Sequence, residues 1–315
     1  MMITRRTLLG ALPALSLTGP GAALAAASQP SGGPGFEMPD GACDCHVHVH
    51  PKGYPMAENR TYTPELAEVS ELEALLEALG LARVVIVTPS IYGPDNSATL
   101  SGLHKLGNRA RGVAVVDGST GQRELDLLVA SGVRGVRLNL STGGVNDPDV
   151  ARRMILETEE ILGGRDLHLQ LNTNLEMIAA LQPFLQQRER MLVIDHFGGA
   201  QPKGESLPGQ EALIALAQSG KAYVKLSIKG GGNVDLSAFD PLAQALIAAN
   251  PDRMLWGTNW PHPNAAAPKG GTAHDLTPLH AVDDAMVLQH LAIWAPEAEM
   301  RRRILVENPA RLYGF

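Results

Sequence analysis

Eight short runs rich in β-branched residues recur along the chain, and longer helix-like segments separate them. The runs are CDCHVHV, ARVVIVTPS, RGVAVV, VRGVRLNL, LHLQLN, MLVIDHF, AYVKLS and RMLWGTNW. Short runs that are apolar at most positions read as strands covered on both faces, and parallel strands need a long crossover between them. Candidate helices supply the crossovers at 65–79, 97–109, 120–131, 149–162, 174–187, 209–219 and 237–249, with a last one near 284–294. This alternation predicts an α/β fold, a (β/α)8 TIM-type barrel, as one domain over 41–315. A doubly wound open sheet is the competing arrangement. It commonly carries a glycine-rich phosphate turn after its first strand, and here a histidine cluster stands in that place.

That cluster lies in CDCHVHVHPKGYP, Cys43 to Pro55. A strand alternates its faces, so strict alternation puts Asp44, His46, His48 and His50 on one side and Cys43, Cys45, Val47 and Val49 on the other. The first face is polar and convergent; the second is ready to pack. Same-face neighbours on a strand are about 7 Å apart, too far for an easy disulfide. The two cysteines are therefore expected as free core thiols.

Barrel enzymes build their sites where the strands end and the βα loops begin. Polar residues gather at those ends here: His46 and His48, then Ser90, Tyr92, Asp95 and Asn96, then Arg137 and Asn139. Gln170 and Asn172, Asp195 and His196, Lys225 and Ser227, and finally Asn259 and His262 occupy the later strand ends. A single strand-end histidine is most often a hydrogen-bonded structural residue. Several on one face, beside a carboxylate, point to a site. Arg137 and Lys225 read as solvated charges only outside a barrel. Inside one, an anionic substrate or an internal carboxylate must answer them.

The leader has a different character. Arg5 and Arg6 precede an apolar stretch ending in small residues, so 1–27 is expected to be a twin-arginine signal peptide cleaved near Ala25 to Ala27. It would take the chain through the twin-arginine export machinery to a periplasmic location. Gly10, Pro13, Gly19, Pro20 and Gly21 interrupt the stretch, which argues against a stable membrane anchor. Residues 28–40, rich in Gly, Pro and Ser, read as a linker. The net charge of -7 is spread along the 315 residues with no basic stripe, so no nucleic-acid partner is expected.

DCHVHV, TPSIYGPDN, GVRLNL, DHFGG, KLS, WGTNWPHPN and ILVENPARLYGF together resemble the amidohydrolase superfamily, in its amidohydrolase-2 branch. The group they are most similar to is the 2-pyrone-4,6-dicarboxylate lactonases and related lactone hydrolases. In the wider superfamily, the resemblance implies metal ligands at His46, His48 and His196, with a fifth-strand ligand and an eighth-strand aspartate. In the lactonase group it implies a metal-free site where histidines polarise the lactone carbonyl, the aspartate activates water and arginines hold carboxylates. This chain departs at two places. The fifth strand offers Gln170, a poor metal ligand, and the eighth carries Asn259, a neutral amide that cannot accept a proton as a general base. After strand seven stands KLSIKGGGN, where Lys229 replaces a carboxylate-binding arginine without its bidentate fork.

The resulting expectation is a hydrolase that opens a small anionic lactone, a 2-pyrone-4,6-dicarboxylate-like or sugar-acid ring, without a cofactor. His46, His48 and His196 polarise the carbonyl, Asn259 orients water, and His262 is the proton acceptor. Ser90, Tyr92, Asn96, Arg137, Gln170 and Lys225 position the substrate, and Arg60 and Tyr62 close over it. The alternatives are a metal-dependent amidohydrolase or decarboxylase, with an ion such as zinc on His46, His48 and His196, and a non-catalytic periplasmic binding protein.

Overall fold

A computed structural model describes residues 27–202 and 207–315. Apart from Ala27, the expected leader lies outside the described residues. The predicted runs form eight strands: β1 (Cys43–Val47), β2 (Arg83–Val87), β3 (Ala110–Ala114), β4 (Val133–Asn139), β5 (His168–Asn172), β6 (Leu192–Ile194), β7 (Ala222–Leu226) and β8 (Met254–Trp256). Each pairs in parallel with the next in chain order. Helices Val69–Ala78, Ser97–Leu106, Gln122–Ala130, Pro148–Leu162, Leu175–Gln186, Gln210–Gln218 and Asp240–Ala249 fill the crossovers. Their starts follow local chemistry. Asp147 accepts from the Asp149 amide at 2.8 Å ahead of Pro148, and Asn174 accepts from the Met177 amide at 2.8 Å. Among the described residues no helix is long and apolar enough to cross a membrane.

Strict alternation fails in β1. Cys43 and Asp44 pair with Arg83 and Val84, but Val47 pairs with Ile86, so β1 carries one extra residue as a bulge. The bulge resets the side-chain parity. Cys43 and Cys45 pack with Val85, Val113, Val193, Tyr223 and Leu255 inside the barrel, over Tyr313 of the C-terminal helix. Val47 and Val49 instead join the layer beneath the helices. Asp44 therefore does not share a face with the histidines, contrary to the alternation reading. Both cysteines are free and buried, as expected.

The barrel closes where β1 meets the segment after β8. Val47 bridges Trp260, the His48 amide donates to the Trp260 carbonyl at 2.7 Å, and the Asn259 amide donates to the His46 carbonyl at 2.9 Å. Asp44 clamps this seam. Its Oδ1 accepts from the amides of His46 at 2.9 Å and Thr258 at 3.2 Å, and its Oδ2 from the Thr258 hydroxyl at 2.6 Å. Gly257 is required here, since a Cβ would stand 2.8 Å from the His46 nitrogen. The C-terminal NPARLYGF motif closes the other end. Asn308 Nδ2 donates to the carbonyls of Pro251 and Met254, each at 2.8 Å, and Tyr313 lies edge-on to His168 with ring centroids 5.3 Å apart.

Two loops lie tied together over the mouth. A two-residue ladder joins Thr63–Pro64 to Leu276–Thr277, and the Thr63 hydroxyl donates to the Ala273 carbonyl at 2.7 Å. Residues 28–40 are fastened to the barrel. Trp260 Nε1 donates to the Ser28 carbonyl at 3.1 Å, Ser31 bonds Asp283, and Arg301 stacks on Phe36 at 4.7 Å.

Burial pushes the Asp44 carboxyl up to about 7 against the hydrogen bonds from Thr258 and His46. A carboxyl raised in the fold contributes stability below its unfolded value and loses that contribution as the pH climbs through its folded value. Thr258→Val removes a bond to the charged form. It should cost about 1–3 kcal/mol, and thermal denaturation should show a larger loss at pH 8 than at pH 5.

Candidate active site

Asp195, at the end of β6, organises the mouth. It is 1% exposed. Arg137 Nε donates to its Oδ2 at 2.8 Å and Gln170 Nε2 to the same oxygen at 3.1 Å. Lys225 Nζ lies 3.4 Å from Oδ1 and His46 Nδ1 3.2 Å from it. Burial alone would raise the Asp195 carboxyl, but the cations Lys225 and Arg137 outweigh it and hold it well below the usual carboxylate range. Lys225 is fully buried, which lowers its ammonium despite Asp195, and it also donates to Gln170 Oε1 at 2.8 Å.

The imidazoles form a chain with readable protons. His48 Nδ1 lies 2.7 Å from the Val87 carbonyl, which only accepts, so Nδ1 carries the hydrogen and Nε2 the lone pair. His46 Nε2, 3.2 Å from His48 Nε2, then donates to it. His46 Nδ1 is left to accept from Lys225 Nζ at 3.1 Å. His196 Nδ1 pairs with the Ser227 hydroxyl at 2.8 Å, and its ring lies 4.4 Å from that of His46. Burial, reinforced by nearby cations, pushes His46 down to about 3 and lowers His48 and His196 well below the ordinary value. All three are neutral at physiological pH.

A cavity of about 160 Å³ opens above them, lined by His48, Arg137, Asn172, His196, Lys229 and Asn259, with Tyr62, Ser90 and His280 at its sides. Arg137 spends Nε on Asp195 and Nη1 on Asn139 Oδ1 at 2.6 Å, leaving Nη2 without a partner among the described residues. Lys229 Nζ donates to Asn172 Oδ1 at 2.6 Å, and burial beside Arg137 lowers its ammonium to about 8. Three cations, Arg137, Lys225 and Lys229, face one carboxylate and neutral imidazoles. The mouth carries an excess of two positive charges.

The backbone is strained at the same place. Among the described residues the non-glycine positions with positive φ are His196 (51°), Phe197 (50°), Asn259 (70°) and His262 (61°). Such conformations cost on the order of 1–3 kcal/mol each and persist where surrounding bonds enforce them. Here the Gly198 amide bonds the Asp195 carbonyl at 2.9 Å and the His262 amide bonds the Asn259 carbonyl at 2.8 Å.

Other sequence-predicted residues lie apart from the cavity. Asn96 is saturated, accepting from Thr88 Oγ1 and the Val115 amide and donating to the carbonyls of Pro94 and Val115, so it pins the loop after β2. Tyr92 packs with Tyr62, Ile91 and Ala98 away from the cavity lining. Arg60 braces its own loop through Thr63 at 2.7 Å and the Ala57 carbonyl at 2.9 Å. His262 is 1% exposed, bonds Asp284 through Nε2 at 2.9 Å, and does not line the cavity. Gln170 and Lys225 act through Asp195. Asp195, His280 and Thr142 were not among the predicted site residues. The signal for Asp195 was the pair of cations on barrel strands; nothing local marks His280, whose amide is held by the His262 carbonyl at 2.9 Å.

The donor atoms of His46, Asp195 and His196 lie within 4.8 Å of one another, a grouping able to surround an ion. His48, expected as a ligand, directs both nitrogens elsewhere. The charges oppose a cation. Lys225 sits 3.1 Å from His46 Nδ1, and a second cation would meet it with a repulsion of about 4 kcal/mol per unit charge at roughly 4 Å and an effective dielectric near 20. With Lys225 charged, the donor set fits a metal poorly.

Residues 43–315 match the amidohydrolase family model. The chain is 33% identical over 294 residues to the 4-sulfomuconolactone hydrolase of Hydrogenophaga intermedia, covering 89% of this chain and 90% of that protein. It is 32% identical to the 2-pyrone-4,6-dicarboxylate hydrolase of Comamonas testosteroni, over 89% of this chain and 92% of that one. A solved Pseudomonas putida structure, provisionally assigned as a 2-pyrone-4,6-dicarboxylic acid hydrolase, superposes with a TM-score of 0.73 at 29% identity, covering 88% and 98% of the two chains. Eight parallel strands with their crossover helices, the histidine-lined mouth and these matches lead to one conclusion: the chain belongs to the amidohydrolase family.

Proposed function

We propose that this protein is a lactonase that hydrolyses a small anionic lactone, with its own lysine and arginine in place of a metal ion. The observation that carries this reading is the excess positive charge around neutral imidazoles in one cavity, supported by relatives that are themselves named as lactone hydrolases. A dianionic ring matches that charge. We also infer, from Arg5 and Arg6 and the apolar stretch after them, that the chain reaches the periplasm by twin-arginine export.

The substrate carboxylate pairs with the Lys229 ammonium, and Arg137 Nη2 donates to the ring carbonyl and to the oxyanion that develops on it. His262 is remote from the cavity, so the proton acceptor is His196. Ser227 accepts its Nδ1 hydrogen, which leaves the Nε2 lone pair for a water held by the Asn259 amide. The water oxygen bonds the carbonyl carbon as its proton passes to Nε2. The tetrahedral intermediate then expels the ring oxygen, which takes that proton back. One water is consumed and a hydroxy acid is released. Because burial holds His196 well below its ordinary value, this base is neutral across the working range and imposes no rising limb near neutral pH.

The direct test is ring opening across a panel of dicarboxylate and sugar-acid lactones at neutral pH. The expected result is turnover of at least one, and background rates throughout would reject the reading. Lys229 binds as a cation, so KM should rise as the pH passes about 8 while kcat changes little. Lys229→Gln should raise KM about 10–100-fold, the worth of a charge-assisted bond, and flatten that pH dependence. Dialysis against a strong chelator should leave the rate unchanged, with elemental analysis reading the metal content of the active protein.

A further inference from the structure

The 160 Å³ cavity is not the whole site. A second chamber of about 500 Å³ adjoins it and shares His196 and Lys229 as common walls. Small-molecule sites usually span about 300–1,000 Å³, so the smaller cavity alone falls short and the pair together does not. One part of the second chamber's wall is carbon-rich, from Ala200, Ile228, Val234, Ala238 and Phe239, and Ser141 and Gln201 add polar groups to the lining. Two of its other polar residues are turned to other work. Asn174 caps its own helix through the Met177 amide, and Asp235 caps the turn after it through the Ser237 amide at 3.0 Å. Thr173 lines the chamber and is 3% exposed, but its hydroxyl oxygen is itself closed off and offers a substrate no hydrogen bond.

We propose that the site is bipartite: the lactone ring sits between Arg137, His196 and Lys229, and the second chamber takes a carbon-rich substituent. The substrate class is then a substituted lactone carboxylate, aryl or alkyl, larger than a bare ring acid. This rests on the lactonase reading for the position of the ring. It adds that specificity comes from the far side of Lys229.

The test is a series built on one γ-lactone carboxylate: the parent, its propyl and hexyl derivatives, and a phenyl derivative. For the native chain, kcat/KM should climb roughly fourfold per methylene until the chamber fills. Ala238→Trp fills the chamber, so the ratio of substituted to parent kcat/KM should fall at least tenfold. An unchanged ratio in Ala238→Trp, or no gain with substituent size in the native chain, overturns the proposal. If no member is opened, the lactonase reading fails, and calorimetric binding of the same series decides the chamber separately. Tighter binding of the larger members, lost in Ala238→Trp, supports it; equal binding along the series refutes it.

Discussion

One buried carboxylate lets positive charge live inside this barrel. Without Asp195, Arg137 and Lys225 would be stranded in a low-dielectric interior, where an unpaired ion costs several kcal/mol, roughly. With it, the two cations are held at fixed distances and still outnumber the carboxylate, which leaves field to spare at the mouth. The same arrangement sets the protonation of the histidines. Lys225 donates into His46, His46 into His48, and His48 into a backbone carbonyl, so each ring is neutral with an assigned hydrogen. Electrostatics and geometry thus come from a single point in the fold.

That network depends on backbone that the chain would not adopt alone. His196 and Asn259 both sit in left-handed conformations, one directly after β6 and the other after β8. The seam between β1 and the segment after β8 enforces the second, through the Asn259 amide on the His46 carbonyl. Barrel closure and site assembly are therefore one event, and the Asp44 clamp belongs to both.

Much of the architecture was legible because strands buried on both faces announce themselves by composition, and all eight runs became strands. Arg137, His48, His196 and Asn259 were legible as cavity residues because strand ends in a barrel share a rim. Arg137 and Lys225 required either an anionic substrate or an internal carboxylate, and MLVIDHF alone does not show that Asp195 is the one that answers them. The bulge in β1 was not legible, since it is a property of pairing with β2 rather than of the segment itself. Asn96 and His262 look like site residues along the chain. What places them elsewhere is partners distant in sequence, Val115 for one and Asp284 for the other.

The bulge also changes how CDCHVHV should be understood. Its inner thiols and inner imidazoles are consecutive occupants of one column, the thiols filling the floor, His46 buried above them and His48 reaching the cavity. Counting, more than chemistry, decides which residue arrives where. A conservative exchange along this segment leaves the column in step, whereas strict alternation continued from Cys43 and Cys45, without the bulge, would turn His46 and His48 toward the helical shell and present Val47 to the substrate.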